Sequence, residues 1–414
     1  MKQNSIMPGK KIGMVLNSFY PSDIRVKKEA RTLLDAGYQV FLLCYRRKGQ
    51  KEYEILEGIH IQRVYIGESK WMEGIWDVVN SCFFYHPVIG RALKKFIGRY
   101  GLHILHVHDL PLAGTAIRMA GRHNVRLVLD FHENYPEAMK VWFNWRKNPV
   151  IRLKNRLFFN YRRWFEFEKR AVTAADRVIA VVDEMKQRLI RDHQLPESDI
   201  TVLPNSESKD FITKRVDEDV YGELADKYIL LYAGYIGPHR GVDTVIQAMG
   251  HLRPYLDEIY FVVVGTASRD VMNELREMAC ELGVDSNVVF KGYQPFDRFY
   301  SYMSQASVNV IPHKKNGHTD HTIPHKIYQA MMTGKPVLAS SCDPLERTVR
   351  EHQSGEVFES ENASDCAQKI LRLYRDRNYA ARLGRNGKTA TVEGTLNWES
   401  DARALLELYE ELLG

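Results

Sequence analysis

The stretch "YILLYAGYIGPHRGVD" (228–243) decides how the chain is read. Its first half is a continuous apolar and aromatic run, as in a strand covered on both faces. Glycines then open a turn, and a helical pattern follows. Such a turn offers backbone N–H groups and a helix N-terminus to an anion. A glycine turn alone is most often only a tight turn. Here Gly234, Gly237, Arg240 and Gly241 occur together, and a guanidinium can grip phosphate bidentately.

The same unit recurs outward from this stretch. IYFVVVGTA (259–267), NVVFKGY (287–293), SVNVIP (307–312) and PVLAS (336–340) predict further strands, each followed by a helical pattern. Upstream, KIGMVLNS (11–18), YQVFLLCY (38–45), LHILHVHD (102–109), VRLVLDFHE (125–133), DRVIAVV (176–182) and ITVLPNS (200–206) predict an earlier set. Buried strands alternating with helices predict two doubly wound parallel α/β domains. The polar segment 207–220 reads as their linker. The expected domains are 1–206 and 207–394, with a C-terminal helix in 395–414 packing back toward the first. Two such domains placed face to face leave a central cleft, and ligands bind at the carboxyl ends of the strands.

Composition bounds the rest. The 414 residues carry a net charge of +6, modest for this length. No recognisable nucleic-acid module accompanies it, so nucleic acid is not an expected partner. Five scattered cysteines fit a reducing compartment and argue against zinc or a disulfide framework. No secretory leader and no membrane span is expected.

Strand ends hold the candidate chemistry. After SVNVIP comes "PHKKNGHTDHTIPHKIYQAMM" (312–332). Pro324 suits the first turn of a helix. Lys326 lies in that turn, where a cation opposes the macrodipole unless an anion is near. His318, His321 and His325 have only Asp320 as an acidic neighbour, so no metal is expected there. In the first domain, strand one leads to Asp23 and Arg25. LHILHVHD ends in His106, His108 and Asp109. VRLVLDFHE ends in Asp130, His132 and Glu133. Alternation puts Asp130 and His132 on one face.

Two segments resemble the motifs of the retaining GT-B glycosyltransferases of family 4. "GYIGPHRG" (234–241) is similar to G-x-x-x-x-x-K-G, with Arg240 at the lysine position. "QAMMTGKPVLAS" (329–340) is similar to the tail of the E-x7-E motif. The pattern "LLDAGYQV" (33–40) and the closing helix extend the resemblance over nearly the whole chain.

The resemblance implies a GT-B fold and sugar transfer from a UDP- or GDP-linked donor, with no cofactor or metal. It implies donor contacts from Gly234, Tyr235, Gly237, Gly241, Gly265, His321, Thr322, Ile323, Pro324, His325 and Gln329. The implied catalytic groups are His132, Arg240 and Lys326. Asp23, Arg25, His108, Asp109, Asp130 and Glu133 fall on the acceptor side. The family's two glutamates, which meet the donor sugar and the ribose hydroxyls, are His321 and Gln329 here. Tyr235 stands where many relatives have an arginine, and Lys326 could supply that cation. These departures leave a catalytically inactive partner subunit as the other reading.

The segment 140–170 holds ten Lys/Arg, two Glu and nine aromatics. Trp71, Trp76, Phe83, Phe84, Lys94 and Lys95 add to it. Such a mixture suits an anionic membrane surface. The expectation is a cytoplasmic protein, peripheral on the membrane face, with a glycan or lipid-linked acceptor.

Overall fold

The computed structural model describes residues 9–144 and 149–414. The chain forms two compact units, Met1–Pro204 with Ala402–Gly414, and Asn205–Asp401.

The first unit is built on an eight-stranded sheet. Its strands are β1 (Lys11–Phe19), β2 (Gln39–Tyr45), β3 (Tyr53–Leu56), β4 (Ile59–Val64), β5 (Ile104–His108), β6 (Arg126–Phe131), β7 (Arg177–Ala180) and β8 (Ile200–Val202). The order is β3-β4-β2-β1-β5-β6-β7-β8. Every pairing is parallel except β3 with β4. Sequence reading missed that edge hairpin. β3 has only four residues and leaves Tyr53 and Ile55 exposed, so it carries no buried run.

The second unit holds β9 (Tyr228–Ala233), β10 (Ile259–Val264), β11 (Val288–Gly292), β12 (Val308–Ile311), β13 (Val337–Ser340) and β14 (Gly355–Phe358). Their order is β11-β10-β9-β12-β13-β14, all parallel. Strand β14 also escaped sequence reading, because GEVF is short and follows a polar turn. The segment 207–220 is no free linker. Phe211 and Val220 are buried in the core with Tyr221, Ile229, Val262 and Tyr302.

Both sheets have a topological switch point, where chain order reverses and loops diverge. It lies between β1 and β5 in the first unit, and between β9 and β12 in the second.

The aromatic-rich segment divides between core and surface. It forms the helices Tyr135–Asn144, Pro149–Phe158 and Tyr161–Ala174, and residues 145–148 lie outside the described residues. Trp164 and Phe167 are core residues, and Phe84 stacks on Phe167 with ring centroids 4.0 Å apart. Trp76 stacks on His86 and donates to the Ile66 carbonyl. Trp71, Met72 and Ile75 on the helix Lys70–Phe83, Phe83 itself, and Leu153 and Leu157 remain exposed. Among the described residues, no helix is long and apolar enough to cross a membrane.

Candidate active site

In the second unit, the loops after β9 and β12 flank the switch point. Gly241, at φ +69°, lies so close to Pro312 that a Cβ would fall 1.7 Å from its carbonyl oxygen. Gly265, at φ +144°, approaches Gly234 as tightly, with the Gly234 carbonyl 1.9 Å from a Cβ position. Side chains are excluded on both counts, so backbone packs on backbone there.

Lys326 reaches this floor. It is the first residue of the helix Lys326–Met332, and its Nζ would lie 3.3 Å from a Cβ on Gly234. The same atom stands 3.7 Å from the Tyr232 ring centroid. Burial, and then Arg240, push its amine well below the ordinary lysine range. Among the described residues neither cation has a carboxylate partner.

Arg240 Nη1 lies 3.1 Å from His313 Nε2. A guanidinium only donates, so that imidazole nitrogen accepts and the ring is neutral. Burial and then Arg240 hold His313 well below the usual histidine range. The same two causes push His239 down to about 3. The Arg240 Nε is buried without a hydrogen-bond partner. Two cations and two neutral imidazoles, with no acid paired to either cation among the described residues, favour an anion.

The other residues expected to contact a donor fall as follows. Tyr235 is largely exposed, and its carbonyl accepts from the Tyr232 hydroxyl at 2.6 Å. Gly237 begins the short helical turn that carries Arg240. His321 Nδ1 is 2.8 Å from the Gly317 carbonyl, Thr322 Oγ1 donates to His318 O, and Ile323 is buried. The helix starts at Lys326, so Pro324 precedes it rather than opening its first turn. Gln329 is buried, and its Nε2 donates to Glu207 Oε2 at 2.7 Å. His325 Nε2 lies 3.2 Å from that oxygen.

In the first unit, the ends of β5 and β6 build a buried network around Asp130. Its Oδ2 accepts from His132 Nε2, lies 3.1 Å from His108 Nδ1 and 3.5 Å from His106 Nε2. Glu29 approaches the same three rings at 3.7–3.9 Å. The Tyr409 hydroxyl, on the helix Trp398–Leu413, lies 2.6 Å from His106 Nδ1. Asp109 holds φ +62°, a strained angle for a non-glycine, and its Oδ1 accepts from the His132 N–H at 3.0 Å. Asp23 caps the helix Ile24–Asp35 by accepting from the N–H groups of Arg25 and Val26. Glu133 bears electrostatically on Arg25 and Asp109.

Charge is unevenly shared in this network. Burial raises Asp130, but His132 and the hydrogen bonds outweigh it and hold it well below the carboxylate range. Burial and Arg25 lower His132, yet Asp130 and Asp109 carry it above the usual value. Burial, with His106, pushes His108 down to about 3. Burial and then Asp130 raise Glu29 well above its usual range. The charged pair is therefore Asp130 and His132, the histidine at the strand end. Glu29, His108, Asp130 and His132 could each offer a metal one ligand atom, all within 4.8 Å of one another. Asp130 already joins both histidines by hydrogen bonds.

Sequence reading placed His106 at a strand end without giving it a role, and it missed Glu29, Tyr409, His313 and Glu207. Glu29 had a signal, since it falls at helical spacing with the buried Val26, Ala30 and Leu33. Glu207 lay in the segment taken for a linker.

Comparison with known proteins places this architecture. Residues 24–206 match the Glycosyltransferase Family 4 model, and residues 214–390 match Glycosyl transferases group 1. The chain belongs to the GT-B group 1 glycosyltransferases. It is 24% identical over 320 residues to an uncharacterized glycosyltransferase of Methanocaldococcus jannaschii, covering 77% of this chain and 78% of that one. Sucrose-phosphate synthase from Thermosynechococcus elongatus superposes with a TM-score of 0.79 at 20% identity, covering 98% and 99% of the two chains. Anabaena HepE in complex with UDP-glucose gives 0.70 at 13% identity, covering 97% and 99%.

Proposed function

We propose that this glycosyltransferase moves a sugar, with retention, from a nucleoside-diphosphate sugar to a membrane-associated or lipid-linked glycan. The carrying observation is the pair Arg240 and Lys326, which act on each other electrostatically beside a glycine floor and have no carboxylate partner among the described residues. A diphosphate supplies the missing charge. Fixed cations aimed at the leaving diphosphate stabilise the charge that develops as the glycosidic bond breaks. The acceptor hydroxyl attacks from the face the phosphate leaves, and that phosphate takes its proton. His132, held by Asp130, takes its place on the acceptor side. The likeness to HepE, solved with UDP-glucose, supports a uridine donor, and guanosine remains the second choice to test. No metal is required, because protein cations carry the diphosphate charge.

The first unit supports the acceptor reading. A cavity of about 400 Å³ opens there, with Trp76, Tyr135, Trp142, Phe143 and Trp164 among its walls and Asp77 and Lys154 as polar groups. Aromatic faces suit a sugar ring or an isoprenoid. Trp71, Met72, Ile75, Leu153 and Leu157 are exposed on its flanking helices and suit insertion into a lipid interface, with cytoplasmic peripheral attachment.

The test is thermal stability against uridine, guanosine, adenosine and thymidine diphosphates and their sugars. Ligands that bind the folded state raise its melting temperature. One nucleotide is expected to do so, with the effect lost in Arg240→Ala and unchanged by EDTA. No shift with any of them at millimolar concentration sinks the reading.

A further inference from the structure

We propose that Glu207 is a positioning residue for the donor site. It fixes the Gln329 amide so that its oxygen faces a donor hydroxyl. This rests on the donor-site reading above.

A glutamine amide presents an acceptor on one side and donors on the other, and its partner decides which way it lies. Glu207 is that partner. Its Oε1 accepts from the Ser208 N–H at 2.8 Å, and its Oε2 accepts from Gln329 Nε2 at 2.7 Å. An ionised carboxylate cannot donate, so the NH₂ group of Gln329 must face it. The Gln329 oxygen is turned the other way, and no donor meets it among the described residues. A glutamate on this helix would offer the same acceptor. Glu207 thus restores to a glutamine the acceptor character of a carboxylate.

The carboxylate itself is held firmly. Glu207 is 6% exposed, and its carbonyl accepts from the Trp398 N–H at 3.0 Å. The flanking Ser206 donates to Asp401, and Ser208 Oγ donates to Glu399 at 2.8 Å. One segment, 398–401, therefore clamps the residue that clamps Gln329.

The test is Glu207→Gln. An amide at 207 can donate to the Gln329 oxygen, so the fixed orientation is lost. With the nucleotide identified by the screen above, the affinity of this variant is expected to fall about tenfold, the size of one hydrogen bond. The 2′,3′-dideoxy form of that nucleotide should bind wild type and variant alike. The double variant Glu207→Gln/Gln329→Glu returns a carboxylate to the helix and should regain ribonucleotide affinity to within a few-fold. Equal loss for both nucleotide forms, wild-type affinity in the single variant, or no recovery in the double variant each overturns the proposal. If wild type binds no nucleotide at all, the donor-site reading fails instead.

Discussion

Lys326→Met should make the free protein more stable and the donor site weaker, and the opposed signs are the point. An unpaired buried ammonium carries a desolvation penalty of several kcal/mol, and an apolar side chain of similar volume should relieve about 1–4 kcal/mol of it. Losing the contact over Tyr232, at 3.7 Å, takes back about 0.5–2 kcal/mol. The net is a gain of about 1 kcal/mol, or about 2–4 °C in melting temperature for a unit of this size. Binding moves the other way. A charge-assisted hydrogen bond to phosphate contributes about 1.5–3 kcal/mol, so Kd should rise about 10–150-fold. The pH profile checks the cause. The folded-state amine titrates well below 10.5, the unfolded-state value. Between the two, the unfolded chain binds more protons, so wild-type stability rises with pH across that window. The variant should lack this rise, and bound UDP should flatten it in wild type. Melting curves from pH 7 to 10, with calorimetric UDP titrations, measure all three. A variant that melts more than about 2 °C below wild type, or binds UDP as tightly, refutes the reasoning.

Three further outcomes follow from the same structure. Asp130→Asn removes the nearest counter-charge of His132 and should cost about 3–5 kcal/mol by urea unfolding at pH 5. Asp130 stabilises above its unfolded value near 3.8 and loses this as pH falls through its lower folded value. His132 stabilises below 6.5 and loses this as pH rises through its higher folded value. The pair is therefore at full strength between these limits, and a loss under 1 kcal/mol at pH 5 would speak against it. Gly241→Ala and Gly283→Ala share a left-handed φ, but only the first meets a backbone oxygen. Both should lose about 1–2 kcal/mol from backbone strain, and Gly241→Ala about 1–3 kcal/mol more, along with nucleotide affinity. Equal melting temperatures for the two would contradict the close approach to Pro312. Glu168 accepts from Arg188 Nη1 and Nη2 at 2.8 Å each and lies 2.7 Å from His193 Nε2, all buried. Glu168→Ala strands that guanidinium and should cost about 3–5 kcal/mol, so near-wild-type unfolding would show the ion pair to be dispensable.

What sequence could show depended on the distance over which each feature acts. The inner strands were legible because burial on both faces writes a continuous apolar run, as in β1, β9 and β10. The β3–β4 hairpin was not, because its edge strand is four residues long and half exposed. The segment 207–220 looked polar because eight of its fourteen residues are charged, and its anchors Phe211 and Val220 are only two. The glycine turn and its cation were legible for the same local reason as the strands. Strand, glycine turn, cation and helix are consecutive in 228–243, and the structure brings Gly234, Arg240 and Lys326 together.

The unread part of the site is made of long-range hydrogen bonds. Tyr409 meets His106 across 303 residues of chain, and Glu207 meets Gln329 across 122. Neither pairing leaves a mark in composition, spacing or periodicity. This changes how the departure at 329 is to be judged. Position by position, a glutamine where a glutamate is expected counts as a lost acceptor. In the folded unit, the relevant quantity is the set of lone pairs and protons in one small volume. Glu207 brings a carboxylate into that volume from the segment at its rim, and its inability to donate dictates which atom of Gln329 faces away. The departure at 329 and the acid at 207 are therefore one arrangement. An argument for lost catalysis from Gln329 alone fails, because it counts side chains rather than acceptors.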